Sequence, residues 1–352
     1  MDEPLEPQLM TPDTAPLVSA LHKKDYLTPQ ALCYEYFDNP DESRLYYGLD
    51  AKSGKVAASQ AFVGQTLIRN GEIVPTLMSE RTLLAPAFWG RSDYRGFFLW
   101  SLTETARAAS AGFVWGGTSA LKAFQRYGFD NYDCFVHDAL AFRPAAVMRA
   151  ATAPFSWKSR AFHAALYALS LLKYWLSLPG LRRTPWSVAE EVPADADLAA
   201  LLQTISRAHP DSYFMRYTRA KLGWFAASNP YRKRTVVTFR RNGALDGLAI
   251  VEDRRDGFAT VVDLLVADAE QSAGYLLALA RHQASLGRSA MRYWANGQNA
   301  YIGKLREGLR RLGGVPLRKV GAHLVLRGPG EDGKAHPPPA ALAMTWIWQP
   351  PL

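Results

Sequence analysis

Cysteine is nearly absent from this sequence. Cys33 and Cys134 are the only two in 352 residues, too few for a disulfide framework or a four-cysteine zinc site. The seven histidines are scattered singly, without the spacing of metal ligands. We therefore expect no metal cofactor, and a reducing cytoplasm is the expected compartment.

Several common enzyme motifs are also missing. The chain has no P-loop, no glycine fingerprint of a dinucleotide-binding fold and no nucleophile elbow. Its first ten residues are acidic and contain no apolar run, which predicts that no signal peptide is present. Hydrophobic residues at 48% and charged residues at 21% are ordinary globular values and exclude a disordered chain.

The positive charge is unevenly distributed. The net charge is −4 over residues 1–145, +5 over 146–190 and +8 over 191–352. Such asymmetry is typical of proteins that meet a polyanion or an anionic membrane. Arginine outnumbers lysine 29 to 12, however, and this favours a general compositional bias over a dedicated binding patch.

The first half contains a regular series of elements. The Asn70-Gly71 dipeptide predicts a hairpin turn between two long strands, and Gly128 is a good residue to end a helix. The predicted helices are 15–24, 29–37, 96–111 and 119–127, and the predicted strands are 44–49, 55–69, 72–86, 113–116 and 132–142. An apolar and basic helical segment, 144–190, interrupts the series.

The second half repeats this order of elements, which suggests a tandem repeat with little residual identity. The predicted helices are 197–208, 217–228, 273–286 and 301–312, and the predicted strands are 234–240, 248–252, 259–267, 291–295 and 320–326. A proline-rich tail follows, with one added edge strand expected at 344–348.

Residues 82–129 resemble the core of the GNAT superfamily of acyl-CoA N-acyltransferases. A strand ends at Ala85-Pro86, the run Tyr94-Arg95-Gly96-Phe97-Phe98 occupies the family's arginine-glycine loop, and Gly128-Phe129 closes the following helix in register. The resemblance covers about residues 10–143, and a fainter copy covers about 195–328.

This resemblance implies an α+β, three-layer fold. It would have two tandem GNAT-like domains, each a mixed, mostly antiparallel sheet flanked by helices, with the second copy degenerate. The expected organisation is an acyl-CoA-binding domain at 1–145, a helical linker at 146–190, a degenerate domain at 191–330 and a tail at 331–352.

The implied co-substrate is acyl-CoA, most simply acetyl-CoA. A helix N-terminus offers backbone N–H donors and a positive dipole to a pyrophosphate, and arginines add charge-assisted hydrogen bonds. The cofactor-binding candidates are Arg91, Tyr94, Arg95, Gly96 and Phe97. Backbone N–H groups near Leu83 and Leu84 would polarise the acyl carbonyl.

The implied chemistry is attack of an amine on a thioester, which needs a base. Glu80 is the candidate base, although it could equally pair with Arg81. The family's tyrosine acid is replaced here by Phe124, so Tyr127 is taken as the candidate acid, with Tyr132 and His137 as further substitutes. Phe98 replaces the second glycine of the loop.

The second half has no arginine-glycine loop, and residues 266–270 are acidic where phosphate would lie. We expect this half to shape the acceptor site instead, because ligand sites favour domain interfaces. The substrate-binding candidates are Trp115, His137, Trp294 and Asn296, with Asp263 and Asn299 as weaker ones. By resemblance to GNAT proteins of bacterial surface polysaccharide synthesis, the expected acceptor is an amino sugar or another small amine.

Two alternatives stay open. One is a Fem-like aminoacyltransferase, which would use aminoacyl-tRNA; otherwise no nucleic-acid partner is expected. The other is a catalytically inactive scaffold, favoured by Phe98 and Phe124.

Residues 161–178 are 18 mostly apolar positions flanked by basic residues. We expect a helix buried between the two halves, with peripheral contact at the inner face of a membrane as the alternative.

Overall fold

The computed structural model describes residues 5–22, 27–89, 93–118, 121–154, 156–181, 184–230, 232–254, 256–317, 323–328 and 335–343. Its strands are β1 (Leu5–Leu9), β2 (Arg44–Asp50), β3 (Val56–Arg69), β4 (Glu72–Leu84), β5 (Phe113–Thr118), β6 (Asp130–Tyr132), β7 (Phe135–Ala141), β8 (Ser187–Glu190), β9 (Tyr213–Met215), β10 (Arg234–Arg241), β11 (Ala244–Asp253), β12 (Ala259–Val266), β13 (Ala290–Asn296), β14 (Val315–Pro316), β15 (His323–Arg327) and β16 (Leu342–Ala343). Its helices are α1 (Ala15–His22), α2 (Pro29–Tyr36), α3 (Asp93–Ala108), α4 (Leu121–Arg126), α5 (Ala145–Thr152), α6 (Trp157–Ser177), α7 (Asp195–Ala208), α8 (Arg219–Leu222), α9 (Ser272–Ser285) and α10 (Ala300–Arg311).

The first sheet has the strand order β1-β2-β3-β4-β5-β15-β6. Its long hairpin turns at Asn70 and Gly71, both with positive φ (46° and 82°), which confirms the predicted turn. Strands β4 and β5 are parallel and are connected through α3. Apolar side chains of α3 pack against this sheet to form one core cluster, which includes Phe62, Leu77 and Phe98.

The second sheet has the order β14-β7-β13-β12-β11-β10-β8. It also contains one hairpin, turning at Asn242 and Gly243, and one parallel pair, β12 with β13. Helix α9 connects the two parallel strands. Both sheets are therefore mixed, mostly antiparallel and flanked by helices, as the sequence predicts.

Neither compact unit is continuous in sequence. The first comprises residues 1–67, 72–133 and 322–338, and the second comprises 68–71, 134–321 and 339–352. Strand β7, expected to close the first half, pairs with β13 in the second sheet, while β15, expected in the second half, pairs with β5 in the first. The predicted boundary at 145 thus falls inside the second unit, because a period-two pattern identifies a strand but not its partner.

Several element bounds differ from the expected ones. Helix α3 begins at Asp93 instead of Gly96, so the expected loop residues 94–96 form its first turn. The expected edge strand at 344–348 lies outside the described residues, and β16 at 342–343 pairs with β9. The start of the expected helix 119–127 also lies outside the described residues, at 119–120.

Helix α6 contains the apolar segment singled out in the sequence. It is not buried on all sides, because Phe162, Leu172 and Leu176 are exposed. No described helix is long and apolar enough to cross a membrane.

Candidate active site

Strand β4 contains a residue in the left-handed conformation, Arg81, with φ of 51°. This conformation is uncommon for any residue other than glycine. The hydroxyl of Ser59, on β3, donates a hydrogen bond of 2.9 Å to the carbonyl oxygen of Arg81. Nε2 of His22 lies 2.9 Å from the same hydroxyl oxygen. Since the hydroxyl hydrogen is used toward Arg81, we infer that Nε2 carries a hydrogen and donates it to Ser59.

The side chain of Arg81 is held by Glu35. Its Nη2 atom lies 3.0 and 2.7 Å from the two carboxylate oxygens, and both side chains are largely buried. Burial by itself lowers the pKa of the Arg81 guanidinium, but the negative charges of Glu35 and Glu80 outweigh burial and raise this pKa well above its ordinary value. The guanidinium therefore stays charged. The irregular point of β4 is therefore fixed on both its backbone and its side chain.

The described pairing of β4 with β5 ends three residues before Arg81. The pairs between β4 and β5 run from Thr76–Phe113 to Met78–Trp115. Beyond them β5 continues against β15 as far as Thr118, and β4 continues to Leu84. Residues 79–84 of β4 therefore have no described ladder pair with β5.

Glu80 lies in this last part of β4, two residues after Met78, and is half-buried. Its backbone carbonyl accepts a hydrogen bond of 3.2 Å from the amide of Gln60. Its carboxylate charge acts on Arg81 and on the buried hydroxyl of Tyr36. Arg81 also makes an ion pair with Glu35.

Helix α3 begins close behind the end of β4 in the chain. The first four N–H groups of a helix have no intrahelical acceptor, and here they belong to residues 93–96. Arg95 and Gly96 are exposed, and a Cβ atom on Gly96 would meet no described atom within 4 Å. In the first turn of this 16-residue helix, the side of Gly96 is therefore open among the described residues. Arg91 lies outside the described residues.

Two of the expected cofactor-binding side chains are buried in the core. Tyr94 and Phe97 are 6% and 3% exposed, and the Tyr94 hydroxyl lies 3.4 Å from the carbonyl oxygen of Ser59. Because the helix starts earlier than expected, residues 94, 97 and 98 fall on its inner face. Their side chains therefore face the core, and of the two residues only Tyr94 has a backbone N–H among the first four of the helix.

Tyr127 lies at the end of α4, half-buried against the same core. Its ring stacks on Phe98, and burial raises the pKa of its hydroxyl, partly opposed by the charges of Arg126 and Arg95. Tyr127 is therefore protonated at neutral pH and lies within electrostatic range of Arg95. Tyr132 is elsewhere, edge-on to His336.

Leu83 and Leu84 are the last two residues of β4, beyond its described pairs with β5, and are half-buried. The carbonyl of Leu84 accepts a hydrogen bond of 2.9 Å from the indole of Trp89. Trp115, in contrast, is a core residue: it is 4% exposed and its indole donates to the hydroxyl of Thr76 at 3.1 Å. Its expected contact with substrate is not supported by this packing.

The remaining substrate-binding candidates belong to the second unit. The rings of His137 and Trp294 are 4.4 Å apart, and burial lowers the pKa of His137 to about 3, with Arg292 and His163 contributing. The amide of Asn296 donates to the carbonyl oxygens of Pro339 and Leu342 at 2.6 and 2.9 Å. Asn296 thus ties down the chain near residue 340, a structural role.

The two weaker candidates are also structural. Asn299 caps α10, accepting from the N–H of Ile302. Asp263 is buried and accepts a hydrogen bond of 2.8 Å from the hydroxyl of Tyr217. Within the described residues, no group of three or more histidine, cysteine or acidic side chains could hold a metal ion.

Sequence reasoning missed the groups that hold Arg81. His22, Ser59 and Glu35 come from three other elements, 22 to 59 residues away along the chain, so no local pattern connects them. The one signal in the sequence was a pair of opposite charges, Glu80-Arg81, inside a strand otherwise expected to be apolar.

The sequence matches no protein-family model and no curated protein sequence. Solved structures nevertheless share the fold. A GCN5-related N-acetyltransferase from Anabaena variabilis matches with a TM-score of 0.61 at 10% identity, over 93% of this chain and 73% of that one. A GCN5-related N-acetyltransferase from Kribbella flavida gives 0.55 at 13% identity, over 94% and 72%.

Another similar structure is that of Saccharomyces cerevisiae N-myristoyltransferase with bound myristoyl-CoA. Its TM-score is 0.59 at 8% identity, over 98% of this chain and 91% of that one. At these identities the likeness concerns the fold, and the fold of this chain is that of the GNAT proteins.

Proposed function

We propose that this protein transfers an acyl group from acyl-CoA to an amine. The observation that carries the proposal is the end of β4, which continues through the left-handed Arg81 past its last described pair with β5 and is followed in the chain by α3, whose first turn contains the exposed Arg95 and Gly96. Strand backbone of this kind would bind a carbonyl, and a helix N-terminus would bind a phosphate. Structures of the same fold are described as N-acetyltransferases and as an N-myristoyltransferase with myristoyl-CoA.

The pyrophosphate of coenzyme A would bind at the first turn of α3. The N–H groups of residues 93–96 supply donors, and the guanidinium of Arg95 supplies charge. Gly96 leaves room for close approach, because its outer side is open among the described residues. Arg91 is a second candidate for the same role on sequence grounds.

The acyl carbonyl would bind along the last residues of β4, near Leu83 and Leu84. The amine nitrogen attacks the thioester carbon, and the carbon–sulfur bond breaks to release the thiolate. Glu80, directly or through a water molecule, takes the proton that the amine loses. Tyr127, protonated at neutral pH, donates its proton to the thiolate.

The acceptor we propose is a small amine such as an amino sugar. This choice rests on the resemblance noted in the sequence. Acetyl-CoA is the simplest donor, and the bound myristoyl-CoA of one neighbour makes a longer chain worth testing beside it.

Calorimetric titration of acetyl-CoA and a long-chain acyl-CoA into the wild type and Arg95→Glu tests the proposal. We expect binding to the wild type that weakens at least tenfold, about 1.4 kcal/mol, in the variant. Arg107→Glu is the matched control, since Arg107 is exposed at the other end of the same helix. Equal weakening in both variants would contradict a site at residues 93–96. No binding by the wild type would overturn the proposal and make aminoacyl-tRNA the next ligand to test.

A further inference from the structure

The inner face of α6 is fixed to the second sheet. The ring of Tyr167 stacks on Phe258 with centroids 5.3 Å apart, and its hydroxyl accepts a hydrogen bond of 3.1 Å from Arg292. The hydroxyl of Ser170 accepts from the backbone N–H of Ala141 at 2.9 Å. Gly313 approaches the helix so closely that a Cβ there would lie 2.6 Å from Cβ of Lys173. These contacts fix which side of α6 faces outward.

The outward side of α6 is apolar, although the outer face of a surface helix is normally polar. Six large side chains on it are between 44% and 72% exposed: Trp157, Phe162, Leu169, Leu172, Trp175 and Leu176. At 3.6 residues per turn, they span an arc of about 140° along a helix of about 30 Å. The alanines at 161, 165 and 168 fall within the same arc and are exposed as well.

The charged side chains of the chain segment that contains this face have one sign. Residues 143–189 contain seven lysines and arginines and no aspartate or glutamate. Lys158 and Lys173 are exposed on α6 itself, near its two ends. Trp157 and Trp175 are also close to the two ends, and tryptophan is the side chain that prefers the boundary between lipid and water.

We propose that this outer face of α6 binds the surface of an anionic lipid bilayer, with the helix lying in the plane of the headgroups. An apolar stripe with tryptophan, phenylalanine and leucine, bordered by lysine, is the pattern that buries itself at the headgroup boundary. Anionic headgroups complement the one-signed charge. A second copy of the chain would bring the same basic residues together and is disfavoured by their repulsion.

This surface belongs wholly to the second unit and does not depend on the proposed acyl transfer. The helix adheres to the bilayer without entering it fully, because its inner face is bonded to the sheet. Lipid binding would hold the protein where amines or acyl chains of membrane components are accessible.

Flotation of the full chain with lipid vesicles tests the proposal. We expect the wild type to float with phosphatidylcholine vesicles containing about one third phosphatidylglycerol, and at least tenfold less with phosphatidylcholine alone. The double variant Leu172→Glu/Leu176→Glu should reduce flotation at least tenfold. Lys158→Gln and Lys173→Gln should each reduce it about fivefold, the value expected for one basic residue near an anionic surface.

The matched control is Leu9→Glu/Leu17→Glu, which makes the same charge change at two residues about as exposed but outside α6. This control should float like the wild type. Failure of the wild type to float with anionic vesicles, or unchanged flotation of Leu172→Glu/Leu176→Glu, would overturn the proposal. So would light scattering that shows a wild-type dimer dissociated by that double variant, because a second copy would then cover the face.

Discussion

The rings of Phe98 and Tyr127 stack with their centroids 4.3 Å apart and their planes 21° from parallel. Phe98 is fully buried and also meets Phe124 and Phe129 edge-on. By resemblance, Phe98 stands where a glycine is usual and Phe124 where a tyrosine acid is usual, which favoured an inactive site. In the structure Tyr127 stacks on Phe98, and Phe124 packs edge-on against Phe98 in the same cluster.

Tyr127→Phe keeps this stack and removes only the hydroxyl. We expect kcat for acyl transfer to fall about 100-fold, the size of a general-acid contribution, with acyl-CoA affinity within twofold of the wild type. Because burial raises the pKa of Tyr127, the fall of wild-type activity at high pH should begin above the ordinary tyrosine pKa. A pH–rate profile measures both. An unchanged kcat would remove Tyr127 from the reaction.

Phe98→Leu tests the contribution of the stacked Phe98 ring while leaving the hydroxyl of Tyr127 in place. The change shortens a buried ring and should cost about 1.5 kcal/mol of unfolding free energy, while kcat falls because Tyr127 loses its orientation. Phe124→Leu is the matched control, as its ring is in the same cluster but lies 6.4 Å from Tyr127 without stacking. Urea unfolding and kcat should show similar stability losses with a larger kcat effect for Phe98. Equal kcat losses would contradict a positioning role.

Glu80→Gln should lower kcat by between about 100-fold and 10,000-fold if this carboxylate is the base. The affinity for acyl-CoA should stay within twofold, because the proposed phosphate contacts are on α3. Glu72→Gln, at the exposed start of the same strand, is the control and should keep wild-type activity. Steady-state kinetics with a small primary amine measures the effects of the substitution on kcat and on KM separately. Wild-type kcat in Glu80→Gln would leave that carboxylate a structural role beside Arg81.

Much of the first sheet could be predicted from sequence, because its signals are local. The Asn70-Gly71 turn, the strands on either side and the helix ending before Gly128 depend on residues close together in the chain. The sequence could not predict that β7 joins the second sheet and β15 the first. Both are apolar strands, and their residue pattern is compatible with either sheet. The support of Arg81 by Ser59 and Glu35 was hidden for the same reason: tertiary contacts between distant residues decide it.

The exposed face of helix α6 also could not be predicted from the sequence. The sequence shows an apolar segment with basic flanks, and a helix enclosed by protein and a helix at a membrane both have that composition. Only the fixed contacts of Tyr167 and Ser170 decide which residues face outward. Once these are known, the apolar residues at 162, 169, 172 and 176 are seen to be exposed.

Asp263→Asn should stabilise the protein at neutral pH. Burial raises the pKa of Asp263 from 3.8 to about 6, so the folded state binds a proton that the unfolded state has lost. The stability of the wild type therefore falls as pH rises from about 4 to about 6, by about 3 kcal/mol at 1.36 kcal/mol per pKa unit. The Asn side chain carries no charge, and its amide oxygen can still accept a hydrogen bond from the hydroxyl of Tyr217, so it avoids this penalty.

Urea unfolding at pH 7.5 and pH 4 tests this. Asp263→Asn should exceed the wild type by about 2 to 3 kcal/mol at pH 7.5 and match it at pH 4. Asp263→Ala, which leaves the hydroxyl of Tyr217 without its acceptor, should not show the gain. A destabilised Asp263→Asn at pH 7.5 would mean that the charged carboxylate stabilises the fold, contrary to the raised pKa.

His22→Gln should remove part of the acid sensitivity of the first unit. Burial, with Arg81 nearby, lowers the pKa of His22 to about 4, below the value of about 6.5 in an unfolded chain. The unfolded state binds the extra proton between these values, so stability is lost as pH falls from about 6.5 to about 4. The loss between pH 7.5 and pH 4.5 should be about 2 to 3 kcal/mol.

Glutamine keeps an N–H donor for Ser59 but does not titrate, so His22→Gln should lose less stability than the wild type over this pH interval, by about that amount. His22→Leu removes the donor as well, and should be less stable than His22→Gln at both pH values, by about 1 kcal/mol for the lost hydrogen bond to Ser59. Urea unfolding of the three proteins at pH 7.5 and pH 4.5 gives both differences. If the unfolding free energies of the wild type and His22→Gln changed equally with pH, the pKa of His22 would not be lowered in the folded protein.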